Sequence, residues 1–93
     1  MNAQPPNNSD HREASDRYRA EVYRLHNWRV IVCKDRLQWI LQHRKWANGP
    51  AGGRWEGQHY FRTREAALRL WRGKTGDDGS LLALLLPERL LRS

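Results

Sequence analysis

Two apolar, β-rich runs separated by three polar residues constrain this chain more than any other feature. Trp28 to Cys33 reads WRVIVC and Leu37 to Lys45 reads LQWILQHRK, with Lys34, Asp35 and Arg36 between them. Branched and aromatic side chains suit a pleated, half-buried surface, and so short a break joins antiparallel neighbours, so this segment predicts a β-hairpin. Along the second run Leu37, Trp39 and Leu41 face one way while Gln38, Ile40, Gln42 and Arg44 face the other. Both faces of the sheet matter, since both carry apolar residues.

The rest of the chain can be placed around this hairpin. Trp46 to Trp55 (WANGPAGGRW) holds three Gly and a Pro close together, which predicts a flexible loop. Trp55 to Phe61 predicts a third strand with a bulge at Gly57. Thr63 suits an N-cap and Glu65 a first turn, and Ala66, Ala67, Leu70 and Trp71 form an apolar helical stripe ending near Gly73. Ser80 is placed to cap a short helix over Leu81 to Leu86, stopped by Pro87, with Leu90 and Leu91 adding a turn. Upstream, Ala14, Tyr18, Val22 and Leu25 recur at helical spacing behind Ser9 or Asp10, so an amphipathic helix is expected over residues 10–26. Residues 1–9, polar and carrying a Pro pair and an Asn pair, predict a disordered lead.

The expected architecture is therefore one α+β domain over residues 10–93, with a basic sheet-and-helix core at 28–74. Its order is an N-terminal helix, a three-stranded antiparallel sheet, a packing helix and a short C-terminal helical segment. Trp28, Trp39 and Trp71 are expected inside, and Trp46 and Trp55, flanking the loop, outside.

Charge narrows the function. The 93 residues carry 17 Lys and Arg against 10 Asp and Glu. Residues 1–27 are balanced and residues 75–93 sum to −1, whereas residues 28–74 hold eleven basic residues against Asp35, Glu56 and Glu65, a net of +8. A basic excess gathered on one segment is the footprint of a phosphate-contacting surface; it also serves solubility. The lone cysteine, Cys33, cannot close an internal disulfide and lies in an apolar run, so it reads as a small core residue in a reducing compartment. The N-terminus lacks the charged and apolar regions of a secretory leader, and Leu81 to Leu86 is too short to cross a bilayer. A soluble cytoplasmic protein without membrane contact is expected.

Catalytic chemistry finds no support in the spacing. His11, His26, His43, His59 and Cys33 show none of the close pairs that zinc sites use, and the Gly-rich loop lacks the Lys-Ser/Thr sequel of a phosphate-binding loop. Cys33 has no marked base beside it, and Glu56 and His59 diverge on a strand. We expect a non-enzymatic protein with no metal and no cofactor.

The candidate binding residues are Arg29, Gln38, Gln42, Arg44, Lys45, Trp46, Arg54, Trp55, Arg62 and Arg64. Arg and Gln can read base edges bidentately, and basic side chains on the rim hold phosphates. Trp46 and Trp55 would stack on bases or anchor a protein partner. Arg62, Arg64 and the helix N-terminus after Thr63 would make an anion site. The competing structural reading is that the first helix covers this sheet face, packing Tyr18, Val22 and Leu25 on Ile31, Ile40 and Tyr60.

The junction Tyr60-Phe61-Arg62-Thr63-Arg64-Glu65-Ala66-Ala67-Leu68, set behind three strands, resembles the AP2-type and integrase arm-binding domains. The likeness covers residues 28–73, about half the chain. It implies a three-stranded sheet in the major groove of DNA, backed by one helix. The long Gly loop and the pattern of Arg and Trp on the strands depart from that family. In size and charge the whole chain resembles small basic proteins of mobile elements and phages, anti-CRISPR inhibitors among them. Two functions follow as expectations: nucleic-acid binding, DNA over RNA, through the sheet face and loop; or inhibition of a host nucleoprotein complex, by docking on an acidic surface or occupying its channel, so that its own nucleic-acid binding is blocked. The tail from Leu81 to Leu91 is either core or a homodimer seam.

Overall fold

A computed structural model describes residues 12–45 and 54–90. Four strands, β1 (Glu21–Leu25), β2 (Trp28–Val32), β3 (Trp39–Arg44) and β4 (Trp55–Phe61), precede two helices, α1 (Arg64–Thr75) and α2 (Ser80–Leu85). The strands lie in chain order in one sheet, with every neighbouring pair antiparallel. The central hairpin forms as its alternation requires, with Val32 opposite Trp39 and Trp28 opposite His43. Ten residues separate β3 from β4, while His26 (φ 56) and Arg36 (φ 59) take left-handed conformations in the β1–β2 and β2–β3 turns.

Alternation divides the sheet into two faces. Val30, Trp39, Leu41 and Phe61 face the helices and form the main core with Ala67, Trp71, Leu82 and Leu86. Tyr23 packs its ring 5.6 Å from that of Trp71. A register shift between Glu21 and Tyr23 lets the adjacent Val22 and Tyr23 both pack against this core. A second shift, where Leu41 pairs with His59 but Gln42 with Gly57, leaves Gln58 as the extra residue of β4. Trp55 is thereby set on the opposite face from Phe61.

The helices are closed by local chemistry. Thr63 accepts the Ala66 N–H at 3.2 Å, and Gly76 (φ 79) ends α1 with its N–H on the Arg72 carbonyl. α1 therefore passes Gly73 and runs to Thr75. Gly79 (φ 81), not Ser80, is the cap of α2, and the Asp77 and Asp78 carboxylates accept the Gly79 and Ser80 N–H groups. After Pro87 the chain turns back in extended form: Arg64 donates its N–H to the Glu88 carbonyl and Leu90 to the Arg62 carbonyl. Leu90 adds no helical turn, and Leu91 lies outside the described residues.

Among the described residues the expected N-terminal helix is absent, and the sheet has four strands rather than three. Residues 12–20 form irregular turns, and Glu21–Leu25 is a strand. The spacing of Ala14, Tyr18, Val22 and Leu25 does fit a helix, but the open sheet face imposes a different demand. Arg29 and Gln42 sit buried on it and need acceptors, and they take the carbonyls of Glu13 and Ser15. A helix would spend the Glu13 carbonyl on its own N–H groups; the irregular segment leaves it for Arg29 and Gln42, and the Ser15 carbonyl accepts Arg29 beside the Tyr18 N–H. The same segment sets Tyr18 against Ile31, Cys33 and Ile40 as a second, smaller core, while Val22 and Leu25 pack on the helix side.

Candidate functional site

Four of the ten candidate residues are gathered into one internal polar cluster. The Arg29 side chain is wholly buried; its guanidinium donates to Gln42 Oε1 (2.7 Å), Glu21 Oε1 (3.0 Å) and the carbonyls of Glu13 (2.9 Å) and Ser15 (2.8 Å). Asp16 Oδ1 accepts from Arg24, Arg44 and the Trp55 indole N–H. The guanidinium carbons of Arg29, Arg44 and Arg24 lie 4.4, 4.7 and 5.0 Å from the Trp55 ring centroid. Trp55, expected at the surface, is thus a buried platform for three cations held by two carboxylates. Partial burial pushes the Asp16 carboxyl up, yet the Trp55 hydrogen bond and the charges of Arg24 and Arg44 outweigh it and hold its pKa low. Burial lowers the Arg29 pKa against the pull of Glu21, from so high a starting value that the guanidinium stays charged.

Arg29, Gln42, Arg44 and Trp55 do share the face that alternation assigns to them. Burial and mutual hydrogen bonding nonetheless leave the Arg29 and Gln42 side chains no capacity for a base edge. Segment 12–20 covers β2 and β3 on that side, where the sheet-in-groove mode implied by the AP2-type resemblance needs an open surface. On β4 the exposed Tyr60 remains, its hydroxyl lying over Gly57.

The remaining candidates fall elsewhere. Lys45 and Arg54 are exposed at the ends of the β3–β4 connection, Arg62 is exposed at the end of β4, and Gln38 is half-buried after the hairpin turn. Trp46 and the Gly-rich stretch lie outside the described residues. Arg64 is half-buried and reaches the Leu86 carbonyl at 3.4 Å. The start of α1 is poorly suited to an anion: the Arg64, Ala66 and Ala67 N–H groups are already bonded, and Glu65 and Glu88 line the adjacent cleft.

Pairing inside the protein changes which charges face solvent. Among the described residues twelve Lys and Arg are exposed, against the five acids Asp35, Glu56, Glu65, Asp78 and Glu88. On α1 the exposed cations are Arg69, Arg72 and Lys74. At the far end of the hairpin Arg19, Lys34 and Arg36 rim a cleft of about 300 Å³ whose other walls are Tyr18, Ala20, Val32 and Cys33. Among the described residues no carboxylate lines it, though Glu13 accepts the Lys34 backbone N–H at 2.6 Å. The Tyr18 hydroxyl donates to the Val32 carbonyl (2.8 Å), and burial, aided by Glu13, raises its pKa, so it stays a neutral donor. The Leu37 N–H donates to Cys33 Sγ at 3.2 Å.

Sequence reasoning did not single out this cleft. Two cations in a three-residue hairpin turn were the visible signal; the approach of Tyr18 and Arg19 was not, because it depends on the path of segment 12–20. Among the described residues no group of three or more His, Cys, Asp or Glu could hold a metal ion, and no helix is long and apolar enough to cross a membrane.

The fold and its site thus define a small α+β protein: a four-stranded antiparallel meander with two helices on one face and an irregular arm on the other. No family model, no curated protein and no solved structure matches the chain.

Proposed function

We propose that this chain is a non-enzymatic nucleic-acid-binding protein that meets its polyanion through exposed cations rather than through the sheet face. The supporting observation is the exposed charge: twelve basic residues against five acidic ones among the described residues, with Asp16 and Glu21 spent on interior arginines. Lys45 and Arg54 beside the Gly-rich connection, Arg62, and the α1 cations then serve as phosphate contacts. Contacts of this kind hold any sequence and release counterions on binding.

Salt dependence tests this. Fluorescence anisotropy of labelled DNA and RNA, titrated across salt, should give log K falling linearly with log salt, with a slope near −0.9 per phosphate contact on duplex DNA. Lys45→Ala and Arg54→Ala should each weaken binding and flatten the slope by about one unit. An unchanged slope removes those residues from the interface, and loss of all binding at physiological salt removes the function.

The second reading, an inhibitor docking on a nucleoprotein complex, has its own observation. On α2, Leu82 is buried while Leu81, Leu84 and Leu85 are 55%, 81% and 53% exposed, an apolar stripe of the kind that marks protein contacts. The tail is therefore core on one side and uncovered on the other, and Leu84→Asp should abolish capture of a protein partner or self-association in light scattering while sparing DNA binding.

A further inference from the structure

The cleft at the end of the β2–β3 hairpin sets a basic rim around an apolar floor. Ala20, Val32 and Cys33 line it beside the Tyr18 ring, and the cations Arg19, Lys34 and Arg36 stand around them. A bare phosphate would satisfy the rim and leave the floor wet; an apolar ligand would satisfy the floor and gain nothing from three charges. The complementary ligand carries both a flat ring with apolar faces and a phosphate. A volume of about 300 Å³ is at the lower limit for small-molecule sites, enough for one nucleotide unit and too small for a stacked base pair.

We infer that this cleft holds a single unpaired nucleotide, its phosphate among Lys34, Arg36 and Arg19 and its base against the floor of Ala20, Val32 and Cys33. The inference rests on the nucleic-acid reading above and narrows it to strands with unpaired bases: single strands, overhangs or loops. The rigid parts of the site support this. The Tyr18 ring is tethered through its hydroxyl to the Val32 carbonyl, and the Cys33 thiol is fixed by the Leu37 N–H, so the floor is organised before a ligand arrives.

Cys33, the only cysteine, is buried in the floor at 7% exposure, so a small thiol reagent reacts with it slowly and a ligand seated on the floor slows it further. The rate of its alkylation by a small thiol reagent would be followed with a short single-stranded oligodeoxynucleotide, with the blunt duplex made from it, and with inorganic phosphate, alongside anisotropy for total binding. At about ten times Kd only about a tenth of the molecules are empty, so the single strand should slow alkylation about tenfold. The duplex and inorganic phosphate should leave the rate near that of the free protein. The double variant Lys34→Gln/Arg36→Asn should remove the protection; Asn tolerates the left-handed turn that Arg36 occupies, so folding is kept. A single strand that binds by anisotropy without protecting Cys33 overturns the inference and leaves the proposed function standing. Equal protection by duplex or by inorganic phosphate overturns it as well. Failure of every nucleic acid to bind at physiological salt overturns both.

Discussion

Replacing Arg29 by Lys tests whether the buried cluster, and not helical propensity, places the N-terminal arm. Lys keeps the charge and much of the volume but has three donors at one point in place of a planar fork. The guanidinium of Arg29 serves Gln42 Oε1, Glu21 Oε1 and the Glu13 and Ser15 carbonyls in different directions. A single ammonium can reach about two of these, so two charge-assisted hydrogen bonds are lost at about 1–2 kcal/mol each. Losing the guanidinium 4.4 Å from the Trp55 centroid adds about 0.5–1 kcal/mol. Arg29→Lys should therefore cost about 3–5 kcal/mol, a large part of the 5–15 kcal/mol typical of a whole domain. Urea unfolding measures the sum, and amide exchange locates it. Protection should fall first at Tyr18 and Val32, whose N–H groups bond the Ser15 and Ala20 carbonyls, and at Trp55, which bonds that of Ala14. A cost below about 1 kcal/mol with these amides still protected would refute the reasoning, since interactions on the order of 1 kcal/mol are ordinary single hydrogen bonds.

Two further outcomes follow from the Asp16 contacts and the α1–α2 turn. Asp16 has a lowered pKa in the folded state, so its stabilisation is complete above the unfolded value of about 3.9 and is lost as pH falls through the folded value. Asp16→Asn, which keeps one acceptor oxygen, should thus cost about 1–2 kcal/mol at neutral pH, with the gap from wild type closing in strong acid; a gap independent of pH would exclude the ionic role. Gly79→Ala should cost about 1–2 kcal/mol in thermal unfolding, because φ is 81° and an added Cβ would come within 3.2 Å of Leu68 Cδ2. A neutral result there would show that the α1–α2 turn can rearrange.

The exposed apolar stripe of α2 and the exposed cations need not compete. The residues flanking α2 include Asp78 and Glu88, while the hairpin end, the β3–β4 ends and the outer side of α1 are basic. A protein partner on the first surface and nucleic acid on the others would occupy different parts of the molecule, which the Leu84→Asp and Arg54→Ala variants separate.

Local pattern was sufficient for much of this protein. The bulge expected at Gly57 falls one residue on, at Gln58, but the hairpin of β2 and β3, the strand β4, the Thr63 cap, the stripe of α1 and the short α2 before Pro87 all follow from period, cap and breaker residues. So does the assignment of Arg29, Gln42 and Arg44 to one face, because alternation along a strand is a covalent property. Segment 10–26 is where local pattern misleads, since Ala14, Tyr18, Val22 and Leu25 satisfy a helical period while Glu21–Leu25 equally satisfies a strand. The choice was made by partners distant in sequence: buried Arg29 and Gln42 required carbonyl acceptors, and β2 offered an edge to β1. The same tertiary event decided the functional residues, because an acid at position 16 neutralises a base at position 44 only once the chain has folded. Sequence by itself determined how much positive charge the molecule carries and which strands carry it. Only the tertiary structure decided which of those charges are spent inside and which remain for a partner, because burial and pairing depend on distances that no local pattern contains.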